Sequence, residues 1–274
     1  GTNQWRKFHF ESTLNYDRTF AEDHRTSALV YYYMSDEKAS SESTSNMNAI
    51  PKRYQGLSAR LTYGFRDTYM IDLNFGYTGS ENFQPGRRFG FFPSVALGWV
   101  PTQYEFMKNA KWLNFLKIRA SYGTVGNDRI ANKRFPYLTI VNRGSNSPWG
   151  STSQETLIES YIGADNLEWE VATKFDLGIE GKLFDNRIDF VVDFFNDVRT
   201  GIYQQRVQVP SYVGLTSMPF SNVGEMRSYG ADGNISYTER LTKDLSLTLR
   251  GNFTYSKNDI DNWEEANPAY PYQE

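Results

Sequence analysis

Cysteine is absent from the 274 residues, which removes disulfide frameworks, thiolate metal sites and thiol nucleophiles together. Histidine is nearly absent: His9 and His24 are the 2 imidazoles, and neither has a second ligand at metal spacing. Zinc hydrolysis and Ser/His catalysis therefore both lack parts, and no cofactor is expected. No window approaches the ~18 consecutive apolar residues of a membrane helix, and the mean hydropathy is negative, so helical spans are excluded. The formal net charge of -3 is spread without a basic stripe, which leaves no footprint for a nucleic-acid partner. The opening residues carry no signal-peptide pattern. The chain opens at Gly1-Thr2-Asn3 and turns strand-like almost at once, so the expectation is a fragment or a processed start.

Aromatic residues are abundant at 16%, against 39% hydrophobic overall, too many for a disordered chain. Low mean hydropathy does not argue against a membrane β-barrel, because lipid-facing and lumen-facing residues alternate and average out. The alternation is visible. Leu245, Leu247, Leu249, Phe253 and Tyr255 alternate with Ser246, Thr248, Arg250, Asn252, Thr254 and Ser256. Tyr69, Ile71, Leu73, Phe75 and Tyr77 do the same against Asp72, Asn74, Gly76 and Thr78, with aromatic residues at both ends of the apolar row. About ten such strands are predicted, near 5–16, 25–36, 52–65, 68–78, 91–100, 114–124, 171–184, 187–198, 224–238 and 245–257. Most are longer than the roughly 5 to 6 residues of a soluble sheet, and roughly 9 to 11 tilted residues cross a bilayer.

Connection lengths test this independently, since outer-membrane barrels have short turns on one rim and long loops on the other. Short links follow the first, third, seventh and ninth strands: Asp17 to His24, Arg66-Asp67, Asp185-Asn186 and Glu239 to Asp244. Long ones follow the even-numbered strands, including Ser35 to Pro51, Gly79 to Gly90, Val125 to Glu170 and Arg199 to Val223. Pro101 to Leu113 falls on the short-turn side and reads as one or two amphipathic helical turns. Odd-numbered strands then run toward the periplasm. The alternative is a soluble antiparallel sandwich or solenoid, whose strands also alternate. Against it stand the uniform strand length and the aromatic strand ends. About ten strands need not close, and an unclosed edge in lipid leaves backbone groups unsatisfied, so further strands are expected.

Several phrases in order resemble the C-terminal barrel half of the SusC/RagA family, the TonB-dependent outer-membrane transporters of Bacteroidetes. The most specific is Phe91-Phe92-Pro93-Ser94-Val95-Ala96-Leu97-Gly98-Trp99, preceded by Gly86-Arg87-Arg88-Phe89-Gly90. Trp112-Leu113 and Leu116-Lys117-Ile118-Arg119-Ala120-Ser121-Tyr122-Gly123 follow, then Gly126-Asn127. Asn166-Leu167-Glu168-Trp169-Glu170 leads into Phe175-Asp176-Leu177-Gly178, and Asn222-Val223-Gly224-Glu225-Met226 leads toward Gly230. Arg227-Ser228-Tyr229 departs from the family's wording. The resemblance implies an all-β, antiparallel transmembrane β-barrel in the outer membrane of a Gram-negative cell. Residues 1–274 would be part of a wall of roughly 22 strands, with the plug domain, the TonB box and the closing strand expected elsewhere. The implied partners are a SusD-like surface lipoprotein, the TonB–ExbB–ExbD complex acting through the plug, and outer-membrane lipids. The implied cargo is an oligosaccharide or a peptide. A passive porin or adhesin, and a soluble carbohydrate-binding β-domain, are the other readings.

In such a barrel Lys117, Arg119, Asp176, Glu180, Asp189, Asp193 and Arg250 are expected to face the lumen, as solvated or plug-facing groups or as a selective lining. Asp189 and Asp193 share a strand face at roughly twice the ~6.8 Å between adjacent same-face positions, so they are poor acid/base partners; no catalytic residue is expected, nor an enzyme. The long loops concentrate aromatics, namely Trp149, Tyr161, Trp169, Tyr203, Tyr212 and Phe220. These are candidates for cargo or partner contact, with loop-on-loop packing as the alternative. The low-complexity run 40–45 reads as a mobile loop tip.

Overall fold

Long alternating segments joined by left-handed turns leave the chain one simple arrangement, an antiparallel meander. The structure, a computed structural model, describes residues 4–40, 50–129, 134–215 and 217–265; all but the first residue of the 40–45 run therefore lies outside the described residues. In chain order come β1 (Gln4–Phe20), β2 (His24–Ser40), β3 (Lys52–Phe65), β4 (Tyr69–Ser80) and β5 (Phe89–Trp99). A 3-10 turn at Pro101–Gln103 and the short helix α1 (Glu105–Lys108) precede β6 (Leu113–Asn127). The longest connection holds four small strands, β7 (Ile140–Arg143), β8 (Ser147–Trp149), β9 (Thr152–Gln154) and β10 (Leu157–Tyr161). The wall resumes with β11 (Glu170–Leu183), β12 (Ile188–Gln205), β13 (Phe220–Arg240) and β14 (Ser246–Asn262).

The ten long strands form one sheet in the order β1-β2-β3-β4-β5-β6-β11-β12-β13-β14, so every neighbour in space is also the next long strand in sequence. The expected ten strands, the short and long link alternation and the helical turns after β5 are all present. Several strands run past their expected ends, β13 reaching 21 residues. The short turns use residues with positive φ: Ala21 (48°) and Glu22 (64°), Arg66 (52°) and Asp67 (50°), then Phe184 (52°), Asp185 (56°) and Asn186 (62°). That backbone hand matches the twist of the flanking strands and closes hairpins in few residues.

Register fixes the two faces. On one, Ala28 lies opposite Leu61, Leu61 opposite Leu73, and Leu73 opposite Val95. Farther round, Leu97 meets Ala120, Ala120 meets Leu177, Leu177 meets Phe194, Phe194 meets Ala231 and Ala231 meets Tyr255. Among the described residues no second layer covers this face: Leu14, Leu61, Leu73, Leu97, Phe194, Leu249 and Phe253 are all exposed. Apolar surface on this scale is untenable in water and is what a bilayer requires. From Tyr69 to Tyr77 the apolar row of β4 is about 27 Å long along the strand at ~3.4 Å per residue, close to the ~25 Å apolar band of such barrels. Exposed aromatics border it on both sides. Phe20, Tyr69, Trp99, Phe106 and Trp112 stand at the short-turn rim, and Tyr77, Phe91, Tyr122, Phe175 and Tyr255 at the loop rim. Among the described residues β1 and β14 each lack a further strand neighbour, so the sheet is a wall with two edges and is not closed.

Candidate functional site

Because, among the described residues, neither sheet face packs on another layer, the small buried core sits elsewhere, in the loops above the wall, where Phe83 and Leu167 are fully buried beside Ala164. Its origin lies in one proline. Pro93 has no N–H to give, and the β5–β6 ladder stops at Ser94 opposite Gly123. Above that point β5 and β6 part, and Phe92 turns its ring toward β6. There it covers Gly126, where a Cβ would lie 1.9 Å from the Phe92 ring; only glycine leaves the space. Trp169 meets Phe92 edge-on at 5.3 Å and stacks on Phe83 at 4.7 Å.

Polar groups tie the same region. Asn222 donates from Nδ2 to the carbonyls of Glu168 (3.0 Å) and Gly201 (2.8 Å), and its Oδ1 accepts the Glu168 N–H (3.0 Å). Gly201, at φ +67°, sits where the β12–β13 register shifts, a bulge that turns its carbonyl toward Asn222. Glu168 also pairs with Arg87 at 2.6 Å, while Glu170 accepts from Asn127 at 3.4 Å and pairs with Arg199 at 3.3 Å. Four phrases far apart in sequence, around Phe92, Gly126, Trp169 and Asn222, thus close into one knot at the loop rim. It fastens the 128–169 connection to β5, β6, β12 and β13.

The six aromatic candidates divide between packed and open positions. Tyr161 is 4% exposed; its hydroxyl donates to the Pro136 carbonyl (3.1 Å) and lies 2.7 Å from the Tyr203 hydroxyl. Burial pushes the Tyr161 hydroxyl pKa above its ordinary value, although the Tyr203 hydrogen bond acts the other way. Tyr203 stacks on Phe220 at 5.3 Å, and with Trp169 these residues belong to the knot. Trp149 on the β8–β9 hairpin and Tyr212 are 78% and 88% exposed. They alone among the six offer a free ring.

The charged candidates share the face opposite the apolar one. Arg119 lies opposite Gly178, and Gly178 opposite Asp193. The missing side chain lets Arg119 reach across a whole strand to Asp193 at 2.7 Å. Arg119 also pairs with Glu180 (3.0 Å) and stands 3.9 Å from Asp176, while Lys117 pairs with Glu180 at 3.4 Å. Asp189 pairs instead with Lys182 at 3.5 Å, and Arg250 lines a groove with Asp189 and Asn234. Asp189 and Asp193 have different partners. In the sequence Phe92, Gly126 and Asn222 stand in separate phrases with nothing to show that they meet, and Phe83 lies outside all of them. Proline after paired phenylalanines was the available signal.

A family profile described as TonB dependent receptor-like, beta-barrel, matches residues 1–272. The chain belongs to this family. Two curated TonB-dependent receptors are each 29% identical over 73% of the chain: SusC of Bacteroides thetaiotaomicron, covered over 20% of its length, and receptor P3 of Formosa agariphila, covered over 19%. The chain therefore spans about a fifth of the length of these relatives. Among solved structures, the RagAB peptide importer in its closed-closed state has the same fold, with a TM-score of 0.76 at 22% identity over 98% of this chain and 32% of that one. TonB-dependent receptors are a family of transporters and receptors rather than enzymes, and the wall is an outer-membrane one. As a TonB-dependent receptor barrel, the sheet turns its apolar face to lipid. The knot is built from the phrases that resembled SusC/RagA proteins.

Proposed function

We propose that the chain is part of the wall of an energy-coupled nutrient importer, which takes up glycans or peptides beneath a SusD-like surface lipoprotein. Residues 1–274 form a portion of the barrel domain, with the plug and the remaining strands supplied by the rest of the polypeptide. The observation that carries this reading is the loop-rim knot, because it joins the family's phrases into one anchor for the longest loop. The relative named SusC and the fold shared with a peptide importer support it. Short turns then face the periplasm and long loops the exterior. Trp149 and Tyr212 are the loop rings placed to meet the lipoprotein or the cargo, and the Arg119-centred charges face the plug and lumen. Coupling to TonB–ExbB–ExbD runs through the plug.

The test is to purify the full-length protein from native membranes and to follow uptake. A surface lipoprotein should co-purify, and growth on an oligosaccharide or peptide source should require both the receptor and TonB. Steady ion conductance of the reconstituted protein, with TonB-independent uptake, would instead identify a passive porin.

A further inference from the structure

On β1 to β4 the apolar face ends abruptly near the loop rim, and charge begins one step above it. In register with the lipid-facing row, Phe10 lies opposite Met34, and the next same-face positions up are Phe8 opposite Asp36 and Arg6 opposite Lys38. Arg53 lies opposite Asp36, so Arg6, Lys38 and Arg53 all project outward, away from the lumen. Between the apolar row and these charges runs a groove of about 280 Å³, with Met34, Gly79 and Phe89 along it and Asp36, Arg53 and Glu81 at its charged end. Arg53 holds Asp36 at 2.8 Å and stands 3.9 Å from Glu81; Arg6 stands 3.8 Å from Asp36. Two carboxylate oxygens, Asp36 Oδ1 and Glu81 Oε2, are buried without a hydrogen-bond partner. A buried acceptor left without a donor is costly, and the groove opens onto the face where lipid lies.

We infer that this groove binds a membrane lipid whose headgroup carries a phosphate next to a primary ammonium, with an acyl chain laid over Met34 and Phe89. The guanidinium groups of Arg6 and Arg53 suit phosphate oxygens. The two carboxylate oxygens that lack a hydrogen-bond donor take the N–H donors of the ammonium, which a purely anionic headgroup does not supply. Charge complementarity is thus of both signs. Basic groups just beyond an apolar belt are where lipid phosphates lie. The inference rests on the apolar face being in a membrane.

The experiment is native mass spectrometry of the full-length receptor in detergent, with added phosphatidylethanolamine, phosphatidylglycerol, phosphatidylcholine, or free phosphoethanolamine. Phosphatidylethanolamine should be retained preferentially, and free phosphoethanolamine should not bind. The double change Arg6→Gln and Arg53→Gln should lower retention about tenfold, the scale of one or two lost charged contacts. Asp36→Asn together with Glu81→Gln, which removes both negative charges, should abolish the preference over phosphatidylglycerol, and Arg18→Gln, outward on the opposite rim, should change nothing. Equal retention of the three lipids, binding of the free headgroup, or indifference to the groove variants overturns the inference. If the receptor is monodisperse in buffer without detergent, it is the membrane assignment that has failed.

Discussion

Gly126 and Tyr161 show how single atoms decide the shape of the mouth. At Gly126 a methyl group would fall inside the Phe92 ring, and Phe92 is itself held by Trp169. Gly126→Ala is expected to cost about 1–3 kcal/mol, the usual range for overpacking a filled site. The thermal step in the electrophoretic shift of the folded barrel should therefore move down. Gly76→Ala is the comparison, since its Cβ would be 3.9 Å from the Ser58 hydroxyl, an ordinary contact, and its effect should stay within about 0.5 kcal/mol. At Tyr161 the protonated hydroxyl is the bound form, because its proton goes to the Pro136 carbonyl and burial raises its pKa. A raised folded-state pKa stabilises below the ordinary phenol value and is lost as pH rises through the raised value. Cleavage of the 134–169 segment by an alkaline-tolerant protease should be constant from pH 7 to about 10 and increase above it. Tyr161→Phe should weaken the loop at neutral pH by about 1 kcal/mol and shrink that alkaline step, leaving the part that belongs to Tyr203, whose hydroxyl pKa burial also pushes up.

Strands were the most legible elements, because a face that meets lipid must be apolar at every second residue and nothing else in the chain repeats that way. Their ends were less legible. Beyond the bilayer both faces are wet, the alternation fades, and β12 runs on through Arg199 to Gln205 where the sequence read a loop. The short β7–β10 strands, 3 to 5 residues each, carry too few alternations to stand out. The knot was legible only as separate phrases; their meeting depends on the ladder break at Pro93 and the bulge at Gly201, which are consequences of pairing. The alternation itself can be tested on neighbouring strands. Val95 is outward at mid-wall, midway along β5 between Phe91 and Trp99 and opposite Leu73 and Tyr122, so Val95→Lys is expected to cost about 2–4 kcal/mol in urea unfolding from vesicles. Ser121→Lys, one residue along β6 from Tyr122 and on the polar face, should cost far less. Equal costs would mean that the two faces have been assigned wrongly.

For the whole molecule the two rims carry the functional asymmetry, since the closed hairpins hold the barrel and the long loops meet what is outside. The absence of cysteine gives a direct way to read which rim is which, because each thiol introduced into this chain reports one place. Trp149 and Tyr212 stand free at the loop rim, whereas Glu22 and Asp185 occupy the left-handed turns of the opposite rim. In intact cells a membrane-impermeant maleimide should label Trp149→Cys and Tyr212→Cys, and should label Glu22→Cys and Asp185→Cys only after the outer membrane is opened. A reversed pattern would invert the wall, place the knot in the periplasm and leave the exposed loop aromatics unable to meet a surface lipoprotein. Adding the purified lipoprotein before the maleimide sharpens the result. If Trp149 or Tyr212 lies under the lid, its thiol should then be protected, while one at a loop position outside the contact should label as before.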